Sequence, residues 1–269
     1  MSQRECAGTV LGFASDYDGT LDFHRGGGIS QADCDAIKAF QAQGGLFGVN
    51  TGRTPESLRR KVGDKVRFDF SVLVSGALVT DGAGKVIWEQ RVPRDVMTSL
   101  VHRFIFPTLG LYLIDGDRYW RASRLGRIFS RNDKVSFVKT LREIPDPVYG
   151  LSFLLPTKAL AQRVAQTINR DYGDSVTAYQ NVVSVDVVPR GCSKATGLEI
   201  ARRELGIDVM GAIGDSYNDL PMLQEADASY TFAGSPQEVR EAADVLVPTV
   251  GAALTDFTSK LSRWGQSPT

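Results

Sequence analysis

The 269 residues suit one large domain or two of moderate size, and a hydrophobic content of 42% is enough for a packed core. Lys plus Arg equals Asp plus Glu at 31 each, so no global charge draws the chain to nucleic acid or to a membrane surface, and a charged ligand needs a local site. Two histidines, His24 and His102, exclude a His-rich metal centre, and no run of about 18 apolar residues is present to span a bilayer. Cys6, Cys34 and Cys192 show no CxxC spacing and read as free thiols of a reducing cytosol. The opening residues lack a signal-peptide pattern, which also makes a cytoplasmic location the expectation.

TVLGFAS, residues 9–15, predicts a buried strand. A helix follows, with Ser30 as its cap, Ile37 and Phe40 on one face, and Gly44–Gly45 as its stop. LFGVNTGR predicts a second strand ending at Asn50–Thr51, Pro55 opens a short helix, and FSVLVS predicts a third strand. From about residue 77 the pattern changes to hairpins. ALVTDGAGKVIWEQ turns at residues 81–84, a helix is predicted over 94–105, and LYLID and RYWRA flank Asp115–Gly116–Asp117. YGLSFLL, a helix over 157–171, SVTAYQ and VVSVDVV complete this stretch. Alternation returns at Ser193, with the helix SKATGLEIARREL, the strand VMGAIG, a helix, SYTF, a helix from about 236, the strand VLV and a last helix. Strands alternating with helices at both ends predict a Rossmann-like α/β parallel sheet, with an α+β module inserted. We expect a core over 1–84 and 188–269, and an inserted cap over 85–187.

The stretch FASDYDGTLD sets two acids, Asp16 and Asp18, at the end of the first strand, and ligands of open parallel sheets bind beyond such ends. Thr51 ends the second strand, Lys194 opens the helix after the insertion, and Asp215 and Asp219 lie in AIGDSYNDLPML. Each has a plain structural reading. Asp18 before Gly19 suits a turn, Thr51 and Asp215 suit helix caps, Lys194 suits a solvated surface, and Asp219 suits a capping arrangement with Ser216. Together they match the needs of phosphoryl transfer. A phosphoryl group repels an incoming carboxylate, so a cation must neutralise both; Mg²⁺ takes hard oxygen ligands such as Asp16 and Asp215. A carboxylate can then attack to give an aspartyl-phosphate, and Asp18 can serve as acid and then base. The Thr51 hydroxyl, the Gly52 N–H and Lys194 would stabilise the equatorial oxygens.

These segments resemble the four motifs of the haloacid dehalogenase (HAD) superfamily. DYDGT is similar to the first motif DxDGT, TGR to the second, Lys194 in RGCSKATGL to the third and GDSYNDLPML to the fourth, GDxxNDxxML. The resemblance extends over the whole chain and, more narrowly, to the Cof-type (HAD-IIB) sugar-phosphate phosphatases with a type II (C2B) cap. It implies Asp16 as nucleophile and Asp18 as general acid/base. It also implies Mg²⁺ on Asp16, the Asp18 carbonyl and Asp215, with Asp219 supporting the metal and Asn218 meeting phosphate. Two positions depart from the pattern. Ser75–Gly76–Ala77 replaces Asn-Gly-Ala, and Asn50 stands where a small residue is common.

A cap would shield the phosphoenzyme and read the leaving group. Tyr119, Trp120, Arg121 and Arg124 offer aromatic and cationic surface for this, although RYWRASRLGR also reads as a strand with a solvated basic face; His24 sits in a glycine-rich loop near the lid. The expected partner is a small phosphorylated metabolite, with no nucleic acid or membrane, and the expected assembly is a monomer or small homo-oligomer. A phosphomutase and a receiver-like phospho-Asp signalling protein are the competing readings.

Overall fold

The computed structural model describes residues 9–23, 27–105, 108–116, 118–122, 135–137, 141–143 and 148–264. Cys6, His24, Asp117, Arg124 and the Tyr119 side chain, singled out above, lie outside the described residues.

Strand β1 (Leu11–Ser15) is buried along almost its whole length, as an unbroken apolar run requires when both faces of a parallel sheet are covered. Helix α1 (Gln31–Ala42) starts where the Ser30 hydroxyl accepts from the Asp33 N–H, and it buries Ile37 and Phe40. Strand β2 (Leu46–Asn50), helix α2 (Pro55–Val62) and strand β3 (Phe70–Leu73) follow, and the α2 cap is Thr54, not Thr51. The hairpin β4 (Leu78–Asp81) and β5 (Val86–Glu89) then runs antiparallel beside β3.

The inserted module contains α3 (Arg94–Phe104), β6 (Gly110–Asp115), β7 (Arg118–Ala122), β8 (Val135–Phe137), β9 (Gly150–Leu154), α4 (Lys158–Tyr172), β10 (Val176–Asn181) and β11 (Ser184–Pro189). Its strands form a six-stranded sheet in the order β10-β11-β9-β6-β7-β8. One face is apolar: Leu111, Leu113, Leu151, Phe153, Val185 and Val187 pack against α3 and α4 through residues such as Leu100, Phe104, Val164 and Ile168.

The chain returns with α5 (Lys194–Leu205), β12 (Val209–Ile213), α6 (Leu220–Glu225), β13 (Ala228–Thr231), α7 (Gln237–Ala242), β14 (Val245–Leu246) and α8 (Val250–Trp264). The eight-stranded core sheet has the order β14-β13-β12-β1-β2-β3-β4-β5, parallel from β14 to β3. Phe13 packs with Phe40, Phe47, Tyr230 and Phe257 on one side, its ring centroid 5.4 Å from that of Phe257. Ala14, Val72, Leu198, Met210 and Met222 fill the other side. Successive strands leave β1 toward β2 and β3, then resume at β12 on its opposite flank. The order therefore reverses between β1 and β12, where open α/β sheets hold ligands at their carboxyl ends.

The Rossmann-like core with an inserted α+β cap is thus the architecture found. Sheet membership sets its borders somewhat later than residues 85 and 187. Residues 86–89 belong to the core sheet as β5, and β11 reaches Pro189 before the chain leaves the cap sheet. A hairpin's alternation looks the same in sequence whichever sheet it extends. Among the described residues, no helix is long and apolar enough to cross a membrane.

Candidate active site

Asp16 follows β1 directly, and its N–H continues the parallel ladder by donating to the Ile213 carbonyl at 2.9 Å. That bond aligns the end of β1 with the end of β12 and so with Asp215. The Thr20 hydroxyl donates to Asp215 Oδ1 at 3.0 Å and ties the two loops together. Gly19 sits at φ +96, and a Cβ there would lie 2.6 Å from Asp215 Oδ2. Only glycine satisfies both the backbone angle and the approach of that carboxylate.

Lys194 is the first residue of α5, behind a capping box in which the Ser193 and Thr196 side chains bond each other's backbone. Its ammonium is buried, 2.5 Å from Asp16 Oδ1 and 2.6 Å from Asp219 Oδ1. The solvated-lysine reading therefore fails. Asn50 holds the start of this helix, because its Nδ2 donates to the Lys194 carbonyl at 2.7 Å. Gly76, at φ +91, allows the same helix start to press close; a Cβ there would lie 2.1 Å from the Ser193 carbonyl oxygen.

Asp219 makes the capping arrangement expected of it, and its other oxygen pairs with Lys194. Its Oδ2 accepts from the Asp215 and Ser216 N–H groups at 3.1 and 3.0 Å, and from the Ser216 hydroxyl at 3.1 Å, which is the capping arrangement. Its Oδ1 meanwhile takes Lys194. The cap fixes the carboxylate so that the second oxygen faces the ammonium.

Electrostatically the cluster is short of positive charge. Burial pushes the Asp16 carboxyl up to about 7; Lys194 opposes the shift, and Asp219 and Asp215 add to it. Burial works against the Lys194 charge, yet Asp16 and Asp219 hold the ammonium above its ordinary value. Ligand atoms of Asp16, Asp215 and Asp219 all lie within 4.8 Å of one another. Three carboxylates against one ammonium leave two negative charges, so hard oxygen donors and charge balance both fit a divalent cation.

The remaining sequence candidates are distributed as follows. Thr51 is buried, its N–H donates to the Val72 carbonyl at 2.9 Å, and its hydroxyl oxygen accepts from the Arg53 N–H at 3.2 Å. Gly52 is exposed beside it. Asn218 is also exposed, and its Oδ1 accepts from the Ser216 hydroxyl at 2.5 Å. Asp18 does not serve the turn in which it sits; the Asp22 carbonyl and carboxylate take the Gly19 and Gly28 N–H groups.

Asp18 is instead held in a two-point fork by Arg53, whose Nε and Nη2 lie 2.6 and 2.5 Å from its two oxygens. Arg53 is steadied by Nη1 on the Ser57 hydroxyl at 2.8 Å and by its stacking 5.4 Å from the Tyr17 ring centroid. Our reading of the sequence missed Arg53 and Thr20. Both stand inside motifs already quoted, TGR and DYDGT, and a charged residue beside a strand-end site was the available signal.

Comparison with known proteins bears on the family and the fold. The model of the haloacid dehalogenase-like hydrolases matches residues 13–252. The Bacillus subtilis stress response protein YhaX is 25% identical over 248 residues, covering 86% of this chain and 85% of that one. A Streptococcus pyogenes relative, 27% identical over 250 residues and 87% of this chain, carries a name that couples a phosphatase to a peptidyl-prolyl cis-trans isomerase; the chain spans 50% of its length. In solved structures, the fold is similar to that of the HAD subclass IIB sugar phosphatase BT4131, at a TM-score of 0.74 and 18% identity over 93% of this chain and 99% of that one. With a family match over most of the chain and these carboxylates gathered at the reversal of the sheet, the chain belongs to the haloacid dehalogenase-like hydrolase family.

Proposed function

We propose that this hydrolase is a Mg²⁺-dependent phosphatase of small phosphomonoesters, with sugar phosphates as the favoured class, working through an aspartyl-phosphate. The observation that carries the reading is the convergence of Asp16, Lys194, Asp215 and Asp219 from distant segments onto one buried cluster. Asp16, Asp215 and the Asp18 carbonyl would hold the ion, with Asp219 behind them. The ion would supply the positive charge that lets a carboxylate approach a phosphate.

Asp16 attacks phosphorus, the phosphorus–leaving-oxygen bond breaks, and Asp18 gives its proton to that oxygen. Asp18 then takes a proton from water, which attacks the acyl phosphate, releases inorganic phosphate and restores the Asp16 carboxylate. Lys194 keeps Asp16 in place by gripping one oxygen and offers charge to the transferring group. The Thr51 hydroxyl, the Gly52 N–H and Asn218 serve as phosphate donors. Because both Asp18 oxygens are engaged by Arg53, proton delivery requires that fork to open on at least one of them. The buried free thiols Cys34 and Cys192 suit a reducing, cytoplasmic setting.

The test is release of inorganic phosphate from p-nitrophenyl phosphate and from a panel of sugar phosphates, with and without Mg²⁺. Turnover that needs the ion is expected. An inert wild-type protein would remove the proposal, and transfer of phosphate to a second position on the sugar would replace it with a mutase.

A further inference from the structure

The two faces of the cap sheet differ in kind. One is covered by α3 and α4 and is apolar throughout. The other carries residues of the opposite parity, and the pairing registers place five polar side chains in one row across it. Tyr179 pairs with Asp186, Asp186 with Ser152, Ser152 with Tyr112, and Tyr112 with Arg121. Trp120, next to Arg121 in sequence, packs into the helix-side cluster, so Arg121 points to the open side.

This second face meets the core domain at one end. Two residues along their strands from Tyr112 and Asp186, Ile114 and Val188 join Tyr149 in the cluster that includes Leu73 and Val74 of the core. Val74 stands one residue before Ser75, whose N–H donates to the Thr51 carbonyl at 3.1 Å. A two-residue step along a strand is about 7 Å. The polar row therefore lies one such step along the strands from residues that share a cluster with Val74, the neighbour in sequence of the Ser75 that bonds the Thr51 carbonyl.

Part of the row is already bonded, as Tyr179 is through its hydroxyl to the Cys192 carbonyl at 3.0 Å, but Arg121 is short of partners. Arg121 is only 8% exposed, yet among the described residues its Nε has no hydrogen-bond partner, and the bond from Nη2 to the Leu109 carbonyl is long at 3.4 Å. Its guanidinium sits 5.7 Å from the Tyr112 ring centroid. Asp186 accepts from the Ser152 hydroxyl at 2.6 Å on one oxygen. A buried, under-bonded guanidinium is costly in an unliganded fold, and an anion that pairs with it removes the cost.

We propose that this row is the leaving-group subsite and that it takes a polyhydroxy acid: Arg121 pairs with a carboxylate of the leaving group, and Asp186 with Ser152 accepts and donates to its hydroxyls. The assignment rests on the phosphatase reading above and narrows it to phosphorylated sugar acids. The row supplies selectivity between leaving groups, whereas the core sees the phosphate they share.

The experiment compares kcat/KM for 6-phosphogluconate and glucose 6-phosphate, which differ in the acid group, in the wild-type chain with Mg²⁺ and in Arg121→Met. Wild type is expected to favour the acid by about tenfold or more, the usual scale of a charged hydrogen bond, and Arg121→Met to bring the ratio near one, mainly through KM. Arg121→Lys keeps the charge but loses the fork, so a smaller fall in the ratio is expected, and it serves if Arg121→Met does not fold. A wild-type ratio near one, or a variant that slows both substrates equally, overturns the assignment. If wild type fails even on p-nitrophenyl phosphate, the phosphatase reading falls instead. Calorimetric titration of 6-phosphogluconate into wild type and Arg121→Met then decides the subsite: weaker binding by the variant supports it, and equal binding ends it.

Discussion

The core sheet and the cap sheet solve opposite problems. The core is covered on both faces, and its chemistry is confined to strand ends, where Asp16, Lys194 and Asp219 are buried and mutually dependent. The cap carries its polar groups along the strands of the face turned away from α3 and α4, each on its own residue and joined by single contacts such as Ser152 to Asp186. A site built from interlocked charges changes only as a whole. A row of independent side chains can change one residue at a time. On the function proposed above, the difference would let one phosphoryl-transfer centre be paired with different leaving groups.

The largest effect that would sharpen this contrast is at the nucleophile. Asp16→Asn is expected to lower turnover by more than about 1,000-fold while near-UV circular dichroism stays native, because the amide keeps the shape but cannot attack. Near-native turnover would remove Asp16 from its assigned role. Lys194→Met comes next. It strands two buried carboxylates, and urea unfolding should show a loss of about 3–5 kcal/mol. Hydrogen exchange should place that loss in the core, leaving the β6–β9 ladder of the cap protected; equal loosening of both sheets would break the comparison.

Metal removal is expected to act on the same side. Mg²⁺ at about 100 times its dissociation constant should add about 2.7 kcal/mol of stability, and EDTA should withdraw it together with activity. Asp215→Asn should weaken that response, and a full response in the variant would place the ion elsewhere.

The smallest effect concerns the cap. Burial raises the Asp186 carboxyl above its ordinary value, with the Ser152 hydrogen bond opposing. A carboxyl raised in the folded state contributes stability that is present below its unfolded pKa and lost as pH rises through the folded one. Asp186→Asn should therefore stabilise the protein at neutral pH relative to wild type. That gain should shrink as thermal melts are run toward pH 4, and a gain independent of pH would show that the charge is not its source.

Much of the core site was legible because the motifs put chemically distinctive residues at strand ends, and strand ends are what runs such as TVLGFAS and VMGAIG announce. Asp219 shows the limit of a local reading: it was read as a cap partner of Ser216 or as support for a metal, and the Lys194 pairing of its second oxygen comes from 25 residues away. Thr51 and Thr54 show another limit, since two threonines three residues apart offer the same cap and only the chain's path selects Thr54. The Arg53–Asp18 fork was hidden by its separation of 35 residues, which no local pattern encodes. The polar row of the cap was hidden for the same reason, because it exists only once the strand registers are known.

The bond between Lys194 and Asp16 spans 178 positions of the sequence. On the ribosome, Asp16 emerges early, and the whole cap is translated before the ammonium that will hold it. If Asp16 is the nucleophile proposed above, the chain is expected to gain reactivity only after that late pairing is made.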